Sequence, residues 1–170
     1  MNSDILIQLV AIIALISFAG SFHSKTRKEI LLWQILSLFF WVTHYSLLGA
    51  WTGALLACIN GVVTVIFLFK DTRKWLASSF VLYLGLLAVI IGTIFTWQGY
   101  YSLFALFGVM AIIISKWQDV PNRIKLIAIL ASIFWIIYDV FVGSWGGIVT
   151  EVVIILSVLV SLLDKNKLKK

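Results

Sequence analysis

Long apolar runs separated by short polar segments fill almost the whole chain. A helix needs roughly 20 apolar residues to cross the hydrocarbon core of a bilayer, with about 17 to 25 tolerated. Membrane β-strands would alternate apolar and polar residues, and these runs do not. The pattern predicts seven transmembrane helices, at Ile5–Phe22, Ile30–Leu48, Thr52–Phe69, Trp75–Trp97, Gly99–Ser115, Ile124–Val142 and Trp145–Leu163.

Composition supports an all-α integral membrane protein. Of the 170 residues, 62 % are hydrophobic and 12 % are charged, whereas soluble domains carry about 25 % charged residues. The single cysteine, Cys58, lies within an apolar run, so neither an intramolecular disulfide nor redox chemistry is indicated. The first run is expected to be retained, because its basic cluster follows it, the reverse of a signal peptide.

The basic residues predict the orientation. All 13 Lys and Arg residues fall in alternate loops or in the C-terminal tail: Lys25, Arg27, Lys28, Lys70, Arg73, Lys74, Lys116, Arg123, Lys125, Lys165, Lys167, Lys169 and Lys170. Gly49–Gly53, Trp97–Ser102 and Gly143–Gly147 hold none. The positive-inside rule then places the N-terminus outside and the C-terminus in the cytoplasm. Termini on opposite sides of the membrane require an odd number of crossings. This requirement supports the fifth predicted helix, which has the weakest apolar pattern of the seven.

The net charge of +6 could indicate nucleic-acid binding, but the basic residues do not form one patch. They lie at the ends of apolar runs, where orientation signals belong. No nucleic-acid partner is therefore expected. Membrane lipids are the expected partners of the basic tail, and a homo-oligomer is compatible with the sequence.

An internal repeat relates the second and sixth predicted helices. Phe40–Gly53 aligns without gaps on Phe134–Gly147, with identical Phe, Trp, Gly, Trp and Gly at positions 94 apart. The same offset lays the first helix on the fifth and the third on the seventh. The sequence thus predicts two three-helix repeats, 1–74 and 98–170, joined by a linker helix at 75–97. The linker makes the repeats parallel, because three crossings alone would invert the second repeat.

Parallel repeats around a central solute path are the plan of the SWEET-type transporters. By this analogy of architecture, we expect a transporter or facilitator of a small polar solute that works by alternating access between the repeats. The alternative is a structural or ligand-binding, receptor-like membrane protein of the same fold. A duplication that merely built a helical bundle would also explain the repeat.

Polar side chains within the apolar runs mark candidate sites, because a charged residue at a helix centre costs roughly 2.5 to 3.5 kcal/mol on insertion scales. His44, Asn60, Asp139 and Glu151 are such residues. At a rise of about 1.5 Å per residue, all four lie roughly 6 to 11 Å inside the outer helix ends. They are expected to form one polar layer, although Asp139 and Glu151 are also near enough to the interface to reach water.

Helical spacing adds aromatic residues to this layer. Trp41, His44 and Tyr45 share a helix face, and the repeat places Trp135, Tyr138 and Asp139 on the equivalent face. An indole beside a polar group suits an amphipathic solute, but equally suits packing between helices, and His44 also fits a hydrogen-bonded core histidine. The predicted solute-binding residues are Trp41, His44, Asn60, Trp135, Tyr138, Asp139 and Glu151. Asp139 and Glu151 are expected to lie close together and to titrate as a pair.

No enzyme is expected. The chain has no Gly-rich segment ending in Lys-Ser or Lys-Thr, so no phosphate loop is indicated. Besides His44 the only histidine, His23, lies at a predicted helix end, and no Cys/His cluster has metal-ligand spacing. We therefore predict no catalytic residues, no metal and no cofactor.

The two repeat hairpins resemble a known family. The stretch His44–Gly49, with Gly53 and Asn60 after it, and the stretch Trp135–Glu151 are similar to those of the YgjV-like bacterial inner-membrane proteins. The resemblance covers most of the chain and implies the bacterial cytoplasmic (inner) membrane, with distant similarity to the SWEET and PQ-loop transporters. Family members often carry His-Asn where this chain has Tyr138-Asp139, so a role of that histidine does not carry over. The resemblance supplies a location and a fold, but no activity.

Overall fold

The computed structural model describes residues 3–23, 27–70, 72–118 and 121–163. Over these ranges it contains α-helices, one short 3₁₀ helix at Lys74–Ala77 and no strand. The helices are α1 (Ser3–His23), α2 (Arg27–Leu47), α3 (Trp51–Leu68), α4 (Ser79–Phe95), α5 (Ser102–Trp117), α6 (Pro121–Val142) and α7 (Trp145–Leu163). The prediction of an all-helical protein with seven helices is confirmed for this part of the chain.

One predicted boundary is displaced. The fourth helix was expected from Trp75, but α4 begins at Ser79, after the 3₁₀ helix. Ser78 has an extended backbone, and its side chain accepts a hydrogen bond from the Phe80 N–H. Serine is a favoured N-cap because its oxygen satisfies a backbone donor that the first helical turn leaves unpaired. The apolar pattern alone did not reveal this cap.

The distribution of polar side chains is that of a protein in an apolar solvent. Large apolar side chains face outward, and on α4 Phe95 is 82 % exposed. Many polar side chains are instead buried between the helices, namely Ser17, Ser37, His44, Thr52, Asn60, Thr64, Thr93, Ser102, Ser115, Ser132, Asp139, Ser144 and Thr150. Outward apolar faces of this extent mark surfaces that contact something other than water.

By length and composition, one helix among the described residues is long and apolar enough to cross a membrane, α3 at Trp51–Leu68. The other apolar helical segments are shorter than this 18-residue span. Seven spans therefore remain a prediction from the charge and hydropathy pattern.

Six of the described helices form a closed ring. Each contacts the next in the order α1, α2, α3, α5, α6, α7, and α7 contacts α1. α4 lies outside the ring, against α3 and α5. Two glycines of α4 permit this close approach: an added Cβ at Gly85 would lie 3.2 Å from Val63 Cγ2, and one at Gly92 would lie 2.9 Å from Ile59 Cδ1. We call α1–α3 and α5–α7 the two triplets.

The turns that join α2 to α3 and α6 to α7 have the same geometry. Gly49 and Gly143 have φ of 69° and 71°, a left-handed conformation that glycine adopts without steric cost. In each turn the next N–H bonds to the carbonyl five residues earlier, as in a Schellman motif. These bonds are Ala50 N to Tyr45 O and Ser144 N to Asp139 O, each 2.9 Å. The corresponding residues of the two turns are 94 positions apart in the sequence, which is the offset of the sequence repeat.

The two turns and the α4–α5 connection lie at one end of the ring, which we call the hairpin end. The C-termini of α1, α3 and α5 and the N-termini of α2, α4 and α6 lie at the opposite end, which we call the basic end because the described residues Lys28, Lys70, Arg73 and Lys74 lie there.

Candidate functional site

A cavity of about 450 Å³ lies inside the ring. Residues from all six ring helices line it, and none comes from α4. The lining residues are Phe18, Gln34, Ser37, Leu38, Trp41, Tyr45, Ala57, Asn60, Ile112, Ser115, Lys116, Ala128, Ala131, Ser132, Trp135, Thr150, Glu151, Ile154, Ser157 and Val158. Most of these are apolar, so the few polar groups among them determine what the cavity can recognise.

The lining has matched positions in the two triplets. Seven pairs of lining residues are 94 positions apart: Phe18/Ile112, Gln34/Ala128, Ser37/Ala131, Leu38/Ser132, Trp41/Trp135, Ala57/Glu151 and Asn60/Ile154. The cavity is therefore lined by residues at the offset of the sequence repeat. In five of the seven pairs a polar lining residue in one triplet is matched by an apolar residue in the other; the exceptions are the two tryptophans and the apolar pair Phe18/Ile112.

Lys116 supplies the positive charge of the cavity. It lies in the last turn of α5, and its Nζ donates to Asn60 Oδ1 at 3.1 Å and to Thr64 Oγ1 at 2.7 Å. Helical side chains point back toward the helix N-terminus, which here carries the ammonium away from the basic end and toward the interior. The sequence analysis assigned Lys116 only to the orientation signal of a basic loop. The structure corrects this assignment by placing its side chain in the cavity.

Glu151 supplies the negative charge, from the opposite wall. Its half-buried side chain on α7 lines the cavity and hydrogen-bonds with the Ser132 hydroxyl of α6. A further acceptor faces the same space. Gln34 Oε1, on α2, is buried and has no hydrogen-bond partner among the described residues.

Three stacked aromatic rings close the cavity toward the hairpin end. The Tyr45 ring lies between two indoles, with its centroid 5.7 Å from that of Trp41 and 5.6 Å from that of Trp135, and both pairs are stacked. Gly108 makes room for one indole, because an added Cβ there would lie 3.0 Å from Trp135 Cδ1. The ring faces offer the cavity an apolar, polarisable boundary.

Beyond this stack, buried hydrogen bonds join the two triplets. Tyr45 Oη donates to Asp139 Oδ1 at 2.8 Å, and the Gly53 N–H donates to Tyr138 Oη at 2.8 Å. His44 Nε2 lies 2.8 Å from Ser144 Oγ, and its Nδ1 lies 2.9 Å from the carbonyl of Ile7. His44, Tyr138 and Asp139 have no exposed surface. We call Tyr45 together with these three residues the plug.

The structure therefore divides the seven predicted solute-binding residues into two groups. Trp41, Asn60, Trp135 and Glu151 line the cavity. His44, Tyr138 and Asp139 belong to the plug and are not among the lining residues.

Asp139 and Glu151 both avoid the outer surface, and Glu151 is close enough to act electrostatically on Asp139. Each nevertheless has its own hydroxyl partner, Tyr45 for Asp139 and Ser132 for Glu151. Asp139 packs against Gly147, which lies one helical turn from Glu151, or roughly 6 Å along α7. Each carboxyl thus has its own hydroxyl partner, and the close pairing of Asp139 with Glu151 stays a prediction.

Glutamine side chains clamp both hairpin turns in the same way. Gln98 Nε2 donates to the Gly49 carbonyl at 2.8 Å, and its Oε1 accepts from the Thr52 N–H at 3.3 Å. Gln8 Nε2 donates to the Gly143 carbonyl at 3.5 Å, and its Oε1 accepts from the Gly146 N–H at 2.9 Å. Each glutamine lies outside the triplet whose turn it holds: Gln98 precedes α5 and bonds to the α2–α3 turn, and Gln8 lies on α1 and bonds to the α6–α7 turn. The clamps were not predicted from the sequence, because Gln8 and Gln98 are not at matched positions of the repeat.

The family model Imp-YgjV, described as bacterial inner membrane protein, matches residues 5–168. The chain belongs to this family. The match confirms the resemblance carried by the two hairpins and places the protein in the bacterial inner membrane. No curated protein and no solved structure is significantly similar to the chain.

Two lining residues that were not predicted, Gln34 and Ser37, continue the helix face of Trp41 and Tyr45 and could have been found from that pattern. Gln34, Ser37, Trp41 and Tyr45 are spaced by three, four and four positions, which puts them on one face of α2. A face that joins amide, hydroxyl and aromatic groups inside an apolar run is a signal for a cavity wall. Lys116 has no equivalent signal, because a lysine at a helix end is expected from topology alone.

Proposed function

We propose that this family member is a multi-pass transporter or facilitator of a small polar solute, with no catalytic step. The observation that supports this proposal most directly is the cavity between the two triplets. Hydrogen bonds between the triplets close this cavity on one side. A closure built from a few hydrogen bonds between two bodies can break and reform as the bodies rock. Such rocking around a central site is how parallel and inverted repeats achieve alternating access.

We further infer that the two triplets are parallel repeats, with α4 as the linker that sets their common direction. Three observations support this inference. The hairpin turns share their dihedral angles and hydrogen bonds, the cavity lining pairs at one offset, and α4 lies outside the ring. Tyr45 and Asp139, which bond to each other, are themselves equivalent positions of the repeat, so the axis relating the repeats passes near this bond.

The proposed topology places the hairpin end outside the cell and the basic end in the cytoplasm. A reporter enzyme active only in the cytoplasm, fused after Ser102, is expected to be inactive, and the same reporter fused after Lys170 is expected to be active. The physical reason is the alternation of Lys and Arg between successive loops. A reporter active only outside should give the opposite pair of results. An active cytoplasmic reporter at Ser102 would contradict the seven-span topology.

Transport is tested with purified protein in proteoliposomes. Exchange of isotope-labelled solutes is measured for a monosaccharide, a polyol, an α-amino acid and a carboxylate, against protein-free liposomes. We expect saturable exchange of at least one class, lowered at least about tenfold by Glu151→Gln, because a hydrogen bond to a charged group contributes about 1.5 kcal/mol or more and the neutral amide loses that charge. Lys74→Met removes an exposed charge outside the cavity and should leave exchange unchanged.

Absence of exchange for all four classes would contradict the transport proposal. If one of these solutes then still binds the protein in detergent, and Glu151→Gln weakens that binding, the ligand-binding, receptor-like alternative is supported in its place.

A further inference from the structure

Two opposite charges line one cavity without pairing with each other. Lys116 is held by the neutral acceptors Asn60 and Thr64 on the α3 side. Glu151 is held by the neutral hydroxyl of Ser132 on the α6–α7 side. Among the described residues no ion pair joins the two side chains. The cavity therefore presents separate cationic and anionic walls.

Charges held in a poorly hydrated cavity are costly unless an opposite charge compensates them. Lys116 uses two of the three N–H donors of an ammonium group on described acceptors, so a donor is available to an incoming anion. The Glu151 carboxyl has more acceptor sites than the one hydroxyl can fill, and Gln34 Oε1 adds an unpaired acceptor. A ligand with a single charge would compensate one wall and leave the other unchanged.

The spacing of the two walls restricts the ligand further. Lys116 Nζ lies at the level of Asn60 and Thr64 on α3, whereas Glu151 matches Ala57 in the repeat. Three to seven residues of helix separate these levels, or roughly 5 to 10 Å along the axis. With a charged hydrogen bond of about 2.8 Å at each end, a ligand whose ammonium and carboxylate are attached to one carbon reaches about 8 to 9 Å, which lies within this range.

We propose that the cavity binds a small α-amino-acid-like zwitterion, with its carboxylate at Lys116, its ammonium at Glu151, and its apolar body against Trp41 and Trp135. This inference names the ligand class of the proposed function and rests on the same cavity. The apolar lining between the charged walls, which includes Leu38 and Ile112, suits a ligand with an aliphatic side chain.

The test uses four five-carbon probes and the full chain purified in detergent. Isothermal titration calorimetry compares 2-aminopentanoate with its isomer 5-aminopentanoate, with pentanoate and with pentylamine. We expect 2-aminopentanoate to bind at least tenfold more tightly than each of the other three, because it alone satisfies both walls at the right spacing. The isomer carries the same charges farther apart and controls for simple charge attraction.

Single variants assign each charge to its wall. Lys116→Met and Glu151→Gln should each weaken 2-aminopentanoate binding at least tenfold. Lys116→Met should not weaken pentylamine binding, and Glu151→Gln should not weaken pentanoate binding, because each variant keeps the wall that these probes need and removes a like charge. Lys74→Met, the matched loss of an exposed charge, should alter none of the four affinities. If a variant does not fold, the selectivity of the unsubstituted chain among the probes decides the matter.

The inference is overturned if 2-aminopentanoate binds no better than pentanoate or pentylamine, or if its binding survives both cavity variants. Because calorimetry in detergent involves no flux, this outcome is independent of transport. A zwitterion that binds with the expected selectivity but is not exchanged in proteoliposomes would contradict transport and leave the inference intact. Exchange of another solute in proteoliposomes, without binding of 2-aminopentanoate, would support transport and overturn the inference.

Discussion

Replacing Gly147 with alanine is expected to destabilise the protein by at least about 2 kcal/mol. The added Cβ would collide with Asp139 Oδ2 and Ser144 Oγ and would lie 2.6 Å from Asp139 Cγ. Asp139 cannot retreat without loss, because its other oxygen accepts the Tyr45 hydrogen bond. The collision should therefore weaken the plug as well as the hairpin.

Thermal unfolding of the detergent-purified protein, followed by circular dichroism, measures this loss. Gly61→Ala is the matched control, since its Cβ would meet nothing nearer than Leu38 Cβ at 4.0 Å. Alanine is favoured over glycine within a helix by about 1 kcal/mol, so this control should be neutral or stabilising. Gly53→Ala should be intermediate, because the Tyr138 and Tyr45 rings at 2.9 and 3.0 Å must shift. Equal unfolding midpoints for Gly147→Ala and Gly61→Ala would refute the packing argument.

The number and order of the helices could be read from the sequence because the length of an apolar run is a strong constraint, and α7 was predicted with the bounds that the structure shows, Trp145–Leu163. The segment Trp75–Ser78 shows where this reasoning ends. Its residues are apolar enough to continue a helix, yet Ser78 caps α4 from outside it. Such a cap depends on local hydrogen bonding, which an apolar pattern does not record.

The candidate site was only partly predictable for a different reason. Trp41 and Trp135 were found because the repeat singles them out, and both line the cavity. The buried polar residues were predicted because a polar side chain within an apolar run costs free energy in a membrane. The sequence does not show, however, which of them line the cavity, such as Glu151, and which belong to the plug, such as Asp139. The distinction depends on which helix faces lie opposite each other. Tyr45, for example, donates a hydrogen bond from one triplet to Asp139 Oδ1 of the other. Lys116 was missed because its side-chain direction is set by contacts with α3.

Removing the Tyr45 hydroxyl is expected to open the cavity toward the hairpin end. Tyr45→Phe keeps the ring between Trp41 and Trp135 but removes the bond to Asp139 Oδ1. The other oxygen, Oδ2, already lacks a hydrogen bond of normal geometry among the described residues, although the Ser144 hydroxyl acts on the carboxyl. A buried carboxyl that loses its partner is destabilised by roughly 1.5 to 3 kcal/mol, and hydration from the hairpin end relieves that loss.

The measurement uses one cysteine as a reporter of access. Ala57 is 3 % exposed and lines the cavity, so Ala57→Cys in a Cys58→Ser background reports reagent that passes the plug. With a membrane-impermeant thiosulfonate added outside intact cells, we expect Tyr45→Phe to speed modification at least about tenfold, as a shift of about 1.4 kcal/mol or more toward the open state requires.

Asp139→Asn keeps an acceptor for the tyrosine and should have a smaller effect. Tyr83→Phe, on the exposed face of α4, removes a hydroxyl far from the plug and should have none. Equal rates for the Tyr45 and Tyr83 variants, with normal expression of both, would mean that the bond between the triplets does not hold the plug closed.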